Sequence, residues 1–315
     1  MLKRAAEVAV RVCMGVGEEE AILVVTDGPE RGIGYALFEA AKAVGAEALL
    51  IEIVPRRMHG EEPPMAVAGL MRMVDVVLAP TSRSLTHTEA RRRACEAGAR
   101  VATLPGITEE VMVRTLQADY TEVARRSRAL AEVLTEGRKA QLTSPAGTEV
   151  IFDIGGREGY ADTGLYHRPG DFGNLPAGEA FLAPVEGRIE GVIVVDGSMA
   201  GVGLLEEPIR LLIEGGVVQR IEGGSEADAL RRILEPYGEP GRNIAELGVG
   251  TNDRARITGV VLEDEKVLGT VHVALGDNAS MGGRVHVPVH LDGVLRRPTL
   301  EVDGEMVVEE GALAI

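Results

Sequence analysis

Three histidines and an aspartate lie within the 28 residues from Glu265 to Asp292, and imidazoles and carboxylates are common ligands of divalent metals. His290 and Asp292 are two positions apart, so on a β-strand both side chains would project from one face. His272 lies in the apolar run GTVHVALG, where it is either a ligand or a buried histidine bonded to a backbone carbonyl. His286, four residues before His290, could be a ligand, a partner of a ligand or neither. The segment therefore predicts half of a metal site.

Two glutamates elsewhere lie in apolar surroundings. Glu179 follows the Gly/Pro-rich turn of GNLPAGEAF, and Glu246 lies in the strand-like segment NIAELGVGTN. Strand alternation could place either carboxylate on an edge that faces water. The apolar neighbours of Glu246 favour burial, and a buried carboxylate is costly unless a cation pairs with it.

The first 140 residues alternate apolar runs with helical patterns. Strands are predicted over 21–27, 46–54, 74–80 and 99–105, and helices near 31–44, near 63–73 and after a cap at Thr86 or Thr88. This alternation predicts βαβ units and a parallel sheet. The turn TDGPERGIG matches neither nucleotide-binding glycine pattern. His87, just beyond the third strand, is either a substrate contact at the carboxyl edge of the sheet or an exposed residue at a helix start.

The character of the chain changes near residue 140. A charged connector helix is predicted over 119–139, and after it glycines and short strands become frequent. One further helix is predicted over 225–238, and Gly215-Gly216 predicts a two-residue hairpin turn. We therefore expect an α/β parallel-sheet domain over 1–140, which includes the connector helix, and a strand-rich α+β metal-site domain over 141–315.

Composition limits the possible partners and the compartment. A net charge of −16 argues against nucleic acid and anionic membranes as partners, because both require a basic surface. The chain has no apolar run of 18 residues and no signal-peptide start, and its two cysteines are far apart. These features predict a reduced, cytoplasmic protein. A small molecule or a short peptide stays open as the substrate.

GNLPAGEAF, AELGVGTN, DEKVLGTVHVALG and the final HLD, in this order, resemble the metalloaminopeptidases of the aminopeptidase T family. The resemblance covers about residues 170–304 and implies a homodimer with two divalent ions (Zn, Co or Mn) in each chain. The implied ligands are Glu179, Glu246, His272, His290 and Asp292. The main expectation is therefore an aminopeptidase-like hydrolase, with Glu246 or Glu265 as the general base.

Two departures favour a different reaction. The chain is shorter than those peptidases, and Ala279 stands where the family typically has a catalytic tyrosine, whose role Tyr160, Tyr166 or Tyr237 would have to take over. The chain also resembles the 2,5-dihydroxypyridine dioxygenases, for which two histidines and one carboxylate would bind a single Fe(II). His272, His290 and Asp292 supply that set, whereas Glu179 and Glu246 favour the hydrolase. A third alternative is a binding protein that keeps the site without turnover.

Overall fold

The computed structural model describes all residues from 1 to 315. The fold contains twenty β-strands and eight α-helices. The strands are β1 Ala21–Asp27, β2 Glu47–Ile53, β3 Val76–Ala79, β4 Arg100–Thr103, β5 Lys139–Thr143, β6 Glu149–Asp153, β7 Tyr160–Asp162, β8 Phe172–Asn174, β9 Glu179–Leu182, β10 Ile189–Val195, β11 Ser198–Met199, β12 Gly203–Leu204, β13 Ile209–Glu214, β14 Val217–Glu222, β15 Ile244–Gly250, β16 Val271–Gly276, β17 His290–Leu295, β18 Thr299–Val302, β19 Glu305–Glu309 and β20 Ala312–Leu313. The helices are α1 Leu2–Val8, α2 Arg31–Val44, α3 Met65–Met71, α4 Glu89–Glu96, α5 Glu109–Thr115, α6 Tyr120–Glu136, α7 Ser225–Leu234 and α8 Val261–Asp264.

The chain forms two compact units, and the chain passes between them more than once. The first contains Met1–Glu122 and Thr163–Ala177, and the second contains Val123–Asp162 and Gly178–Ile315. The predicted division at residue 140 stays a prediction; that position lies in β5, inside the second unit.

The first unit has a five-stranded sheet in the order β2-β1-β3-β4-β8, with every pair parallel. The central strands are almost wholly buried, as expected for a sheet covered on both faces. Thr88 caps α4 by accepting a hydrogen bond from the backbone N–H of Arg91, at 3.2 Å. The predicted α/β parallel-sheet class is confirmed. The edge strand β8 was not predicted, because its three residues are too few to show a period.

The second unit contains two antiparallel sheets. One has eight strands in the order β14-β13-β10-β6-β5-β18-β19-β20, and the other has seven in the order β12-β11-β17-β16-β15-β9-β7. A single apolar cluster contains side chains from both sheets and from α6 and α7. Gly215 and Gly216 both have positive φ and form the predicted hairpin turn between β13 and β14. The strand-rich second region is confirmed as well.

Strand alternation divides the seven-stranded sheet into two faces. On β16, Val271, Val273 and Leu275 belong to the apolar cluster, so His272 and Ala274 project from the opposite face. The same alternation applies to β9, β15 and β17. We call this opposite face the ligand face. None of the helices in the structure combines the length and the hydrophobicity that a membrane span requires.

Candidate metal centre

The register of the central strands brings the predicted ligands together on the ligand face. Ala274 of β16 pairs with Glu246 of β15 on one side and with Asp292 of β17 on the other. His272, two residues before Ala274, pairs with Gly248. A methyl group at residue 274 and a bare backbone at residue 248 leave space between the larger side chains. Strand pairing therefore brings ligand-face residues of β15, β16 and β17 together, whereas the i, i+2 spacing in the sequence relates residues of one strand only.

His272 is fully buried between two carboxylates. Its Nε2 atom lies 3.2 Å from Oε2 of Glu179 and 3.2 Å from Oε1 of Glu246. Desolvation lowers the pKa of His272, but the hydrogen bonds and negative charges of the two glutamates outweigh it and hold the pKa well above its usual value. The nitrogen is therefore in an environment that stabilises positive charge.

His290 lies on β17 and contacts Glu246, which lies on β15. Its Nε2 atom lies 3.2 Å from Oε2 of Glu246 and 3.4 Å from Oδ1 of Asp292. Its Nδ1–H donates to the backbone carbonyl of Asp277 at 2.9 Å, which orients the ring so that Nε2 faces the carboxylates of Glu246 and Asp292. The carboxylate of Glu246 thus lies between the two imidazoles, with one oxygen toward each.

The donor atoms form two groups that share Glu246. Ligand atoms of Glu179, Glu246 and His272 all lie within 4.8 Å of one another, and so do those of Glu246, His290 and Asp292. All five predicted ligand residues are therefore brought together, although their role as ligands stays a prediction. Sequence spacing alone connected only His290 with Asp292.

Two carboxylate oxygens face the single Nε2 atom of His272, so the hydrogen-bond acceptors there outnumber the donors. One Nε2–H cannot serve both Glu179 Oε2 and Glu246 Oε1 fully, and Oε2 of Glu179 is buried without a hydrogen-bond partner. An unpaired buried carboxylate oxygen is costly, and a cation would remove that cost. Imidazole nitrogens and carboxylate oxygens suit a divalent metal such as Fe(II). The residues present therefore fit the ion.

Lys266 is a site residue that the sequence analysis did not single out. Its ammonium is buried and lies 2.5 Å from Oε1 of Glu179, 2.7 Å from Oε1 of Glu265 and 3.9 Å from Oδ2 of Asp162. Desolvation lowers the pKa of Lys266, but the charges of Glu179, Glu265 and Asp162 hold it well above its usual value. The signal was present: Lys266 is one of four lysines in the chain and directly precedes an apolar run.

Glu265 lies against this lysine and not beside the two histidines. Burial raises its pKa to about 8; the ammonium of Lys266 opposes this shift, and the negative charges of Asp292 and Glu179 add to it. Its role as a general base, like that of Glu246, stays a prediction. Lys266 itself follows α8, whose Asp264 accepts the backbone N–H groups of Thr258 and Gly259 at 2.7 and 2.8 Å and so fixes the turn before the helix.

The other predicted residues lie outside the two ligand groups. His286 is 89% exposed and pairs with Asp277 at 2.9 Å between Nδ1 and Oδ2. Ala279 is exposed and offers no phenol. Tyr166, in the first unit, donates to the carbonyl of Asn174 at 2.8 Å. His87 lies exposed in the turn that precedes α4, in the first unit, and its contact with a substrate stays a prediction.

The family model and the curated relative point to one activity. The model of the 2,5-dihydroxypyridine 5,6-dioxygenase family, NicX, matches residues 2–315. A curated 2,5-dihydroxypyridine 5,6-dioxygenase of Pseudomonas putida KT2440 is 28% identical over 260 residues, which are 78% of this chain and 73% of the relative.

Solved structures show the same fold in both resembled families. The structure of 2,5-dihydroxypyridine dioxygenase from Pseudomonas putida KT2440 superposes with a TM-score of 0.85 at 24% identity, covering 99% of this chain and 96% of the other. Wild-type AmpT from Thermus thermophilus superposes with a TM-score of 0.71 at 18% identity, covering 100% and 99%. The fold is thus shared with an aminopeptidase, and by itself it does not select the reaction.

The hydrolase expectation is wrong. The family model covers almost the whole chain and the curated relative is a ring-cleaving dioxygenase, so the terms hydrolase, aminopeptidase and metalloprotease do not apply. The motifs misled because they contain the predicted metal ligands, three of which serve the dioxygenase alternative equally well, whereas Ala279 in place of the expected tyrosine favoured the dioxygenase. The cofactor expectation is confirmed as a divalent metal, with Fe(II) as the ion that the family uses. The chain belongs to the 2,5-dihydroxypyridine 5,6-dioxygenase family.

Proposed function

We propose that this protein is a non-haem iron dioxygenase that opens the ring of a dihydroxypyridine. The observation that carries the proposal is that the Nε2 atoms of His272 and His290 both lie 3.2 Å from Glu246, which brings the two histidines to one site with Asp292 3.4 Å from His290, in a chain of this family. Two histidines and a carboxylate that leave further coordination positions free are the ligand set of Fe(II) oxygenases.

In this proposal His272, His290 and Asp292 hold the iron, and Glu179 and Glu246 lie beside it. An Fe(II) ion held by these three residues would supply the oxygen-activating chemistry of Fe(II) oxygenases, because three protein ligands leave coordination positions free. The structure supports a site prepared for a cation, because the carboxylates are already placed and need little reorganisation.

Two neighbouring groups stabilise the arrangement of the proposed ligands. Burial raises the pKa of Glu179, but the ammonium of Lys266 and the imidazole of His272 outweigh it and hold the pKa below its usual value, so this carboxylate stays charged. The Asp277 carbonyl fixes the tautomer of His290. Both effects keep donor atoms available to the metal.

We keep His87 as a proposed substrate contact, for which His87→Ala should raise KM.

Oxygen consumption tests the proposal. Protein purified without oxygen and loaded with Fe(II) is mixed with 2,5-dihydroxypyridine at an oxygen electrode, and loss of the ring absorbance is followed in parallel. We expect one dioxygen consumed for each ring opened, and no consumption by the metal-free protein. Ring loss without oxygen uptake would contradict the proposal.

We also propose a homodimer and a cytoplasmic location. The resemblance to the aminopeptidase T family supports the dimer, and the two cysteines, which lie far apart in the sequence, are in keeping with a reducing compartment. Light scattering of the purified protein should give twice the mass of 33.4 kDa. A monomeric mass would contradict the dimer, and recovery with the membrane or secreted fraction would contradict the location.

A further inference from the structure

We propose that the stacked pair Tyr160–Phe181 is the wall against which the aromatic ring of the substrate packs beside the metal centre. The inference rests on the proposed function and adds a substrate subsite to it. The ligand class is a planar, electron-rich ring that carries hydroxyl groups.

The register places the pair in one row with a metal-centre histidine. Tyr160 of β7 pairs with Phe181 of β9, Phe181 pairs with Gly248 of β15, and Gly248 pairs with His272 of β16. Directly paired residues share a face of a sheet, so the two aromatic rings and the imidazole all project from the ligand face. Two strand spacings, about 10 Å, separate the Cα atoms of Phe181 and His272.

Gly248 leaves the space between them without a side chain. The His272 ring fills part of this space, because its Nε2 atom would lie only 2.1 Å from a Cβ at residue 248. The oxygens of Glu179 and Glu246 lie 3.2 Å from that nitrogen. The convergent donor atoms therefore stand beside Gly248, and Phe181 is the next side chain along the row. A ring bound at the metal centre would have Phe181 as its neighbour.

The pair is not part of the apolar core. Ala180 and Leu182, on either side of Phe181, belong to the core cluster, whereas Phe181 and Tyr160 project away from it and are partly exposed. Their rings lie 5.7 Å apart between centroids, with an interplanar angle of 27°. The chain has only five tyrosines and four phenylalanines and no tryptophan. A partly exposed aromatic pair outside the core can offer further ring surface for another aromatic ring to pack against.

The hydroxyl group of Tyr160 makes one end of the stacked pair polar, and this end lies away from His272. The hydroxyl of Tyr160 donates to Oε2 of Glu158 at 3.3 Å, which holds the phenol at the far end of the row from His272. The Phe181 ring, which has no polar group, is thereby left as the part of the wall nearer the metal centre. A substrate ring that binds the metal through its hydroxyl groups would place its apolar face toward Phe181.

Substrate binding without turnover tests the wall. Fe(II)-loaded protein is titrated with 2,5-dihydroxypyridine in the absence of oxygen, and the difference absorbance gives Kd. Phe181→Leu keeps an apolar side chain but removes the ring, and we expect Kd to rise about 3- to 10-fold, in line with the usual strength of aromatic pairs. KM should rise in parallel, while kcat and the iron content stay near wild type. Phe181→Tyr should bind as the wild type does.

Phe172→Leu is the matched control. Phe172 is exposed, stacks on Arg91 in the first unit and has no place in the row, so its loss should leave Kd unchanged. Tyr160→Leu gives a second, independent measure and should weaken binding less than Phe181→Leu.

The outcomes separate this inference from the proposed function. A wild-type Kd for Phe181→Leu in a protein that still opens the ring would overturn the wall and leave the function standing. Loss of iron in Phe181→Leu would also overturn it, because the residue would then support the metal ligands. A wild-type protein that neither binds nor opens dihydroxypyridines would overturn the proposed function, and the wall with it.

Discussion

The imidazole of His272 lies directly over the backbone of Gly248, so close that a Cβ at residue 248 would stand 2.1 Å from Nε2. No real contact is that short, and the obstacle is a ring held between Glu179 and Glu246. Gly248 is therefore required by the position of His272 and not by its own backbone conformation. It is a positioning residue for the metal centre.

Gly248→Ala should displace the ring of His272. We expect metal affinity to fall about 10- to 100-fold, as is usual when the support of a ligand is lost, and stability to fall by about 1–3 kcal/mol from overpacking. Metal titration and denaturant unfolding measure the two effects. Gly69→Ala is the control, because a Cβ there meets nothing within 4 Å. Wild-type metal affinity in Gly248→Ala would refute the positioning role.

The two histidines of the loop and strand after β16 should differ in their effect on metal binding. His290→Ala removes a nitrogen that lies against Glu246 and Asp292, so bound iron and ring opening should fall to traces. His286→Ala changes a side chain that is 89% exposed, and both quantities should stay near wild type. Elemental analysis of the two variants, purified side by side, decides the matter. Equal losses in both would contradict the assignment of ligands.

Removal of the buried ammonium should destabilise the fold. Lys266→Met leaves the carboxylate of Glu179 without its cation, and breaking a buried ion pair by removing one partner typically costs about 3–5 kcal/mol. Lys139→Met, which changes an exposed lysine, should stay within about 0.5 kcal/mol of wild type. Urea unfolding of the metal-free proteins measures both. An unchanged midpoint for Lys266→Met would show that the ion pairs contribute no net stability.

An ion pair in the first unit predicts an acid-dependent loss of stability. Arg100 donates to both carboxylate oxygens of Glu20, at 2.9 and 2.8 Å, and this pairing lowers the pKa of Glu20 against the opposing effect of burial. A carboxyl whose pKa is lower in the folded state stabilises the fold above its unfolded value of about 4.5, and this stability is lost as pH falls through the folded pKa.

Glu20→Gln should therefore destabilise the protein by about 1 kcal/mol at pH 7, a figure kept small because the carboxylate is partly exposed. The difference from wild type should shrink as pH falls below about 4.5 and through the lower folded pKa of Glu20. Glu19→Gln, at an exposed neighbour, is the control and should leave stability at pH 7 near wild type. Thermal unfolding of wild type and Glu20→Gln, from pH 7 to acid pH, measures the difference in stability. A difference that stays constant at all pH values would contradict the ion pair between Glu20 and Arg100.

Local pattern predicted much of the fold and the candidate ligands. The strand and helix of Ala21–Asp27 and Arg31–Val44 follow from apolar periodicity, and the shared face of His290 and Asp292 follows from strand spacing. Neither prediction needs to know which strands are neighbours.

Features that depend on strand pairing could not be predicted. The rows that join Glu246 to Asp292 through Ala274, and Phe181 to His272 through Gly248, arise from the register of strands distant in sequence. The contact of Lys266 with Glu179 spans 87 residues. The motifs could not predict the reaction either, because they contain the candidate metal ligands and these do not determine which reaction the metal centre catalyses.

Isotope labelling tests the central claim, that this metal centre opens an aromatic ring with dioxygen. Fe(II)-loaded protein is supplied with 2,5-dihydroxypyridine and ¹⁸O₂ in ordinary water, and the ring-opened product is trapped and analysed by mass spectrometry. The account predicts that the product carries both oxygen atoms of one dioxygen molecule, apart from exchange with water. Product that carries oxygen from water alone, or no ring opening by the iron-loaded protein, would contradict it.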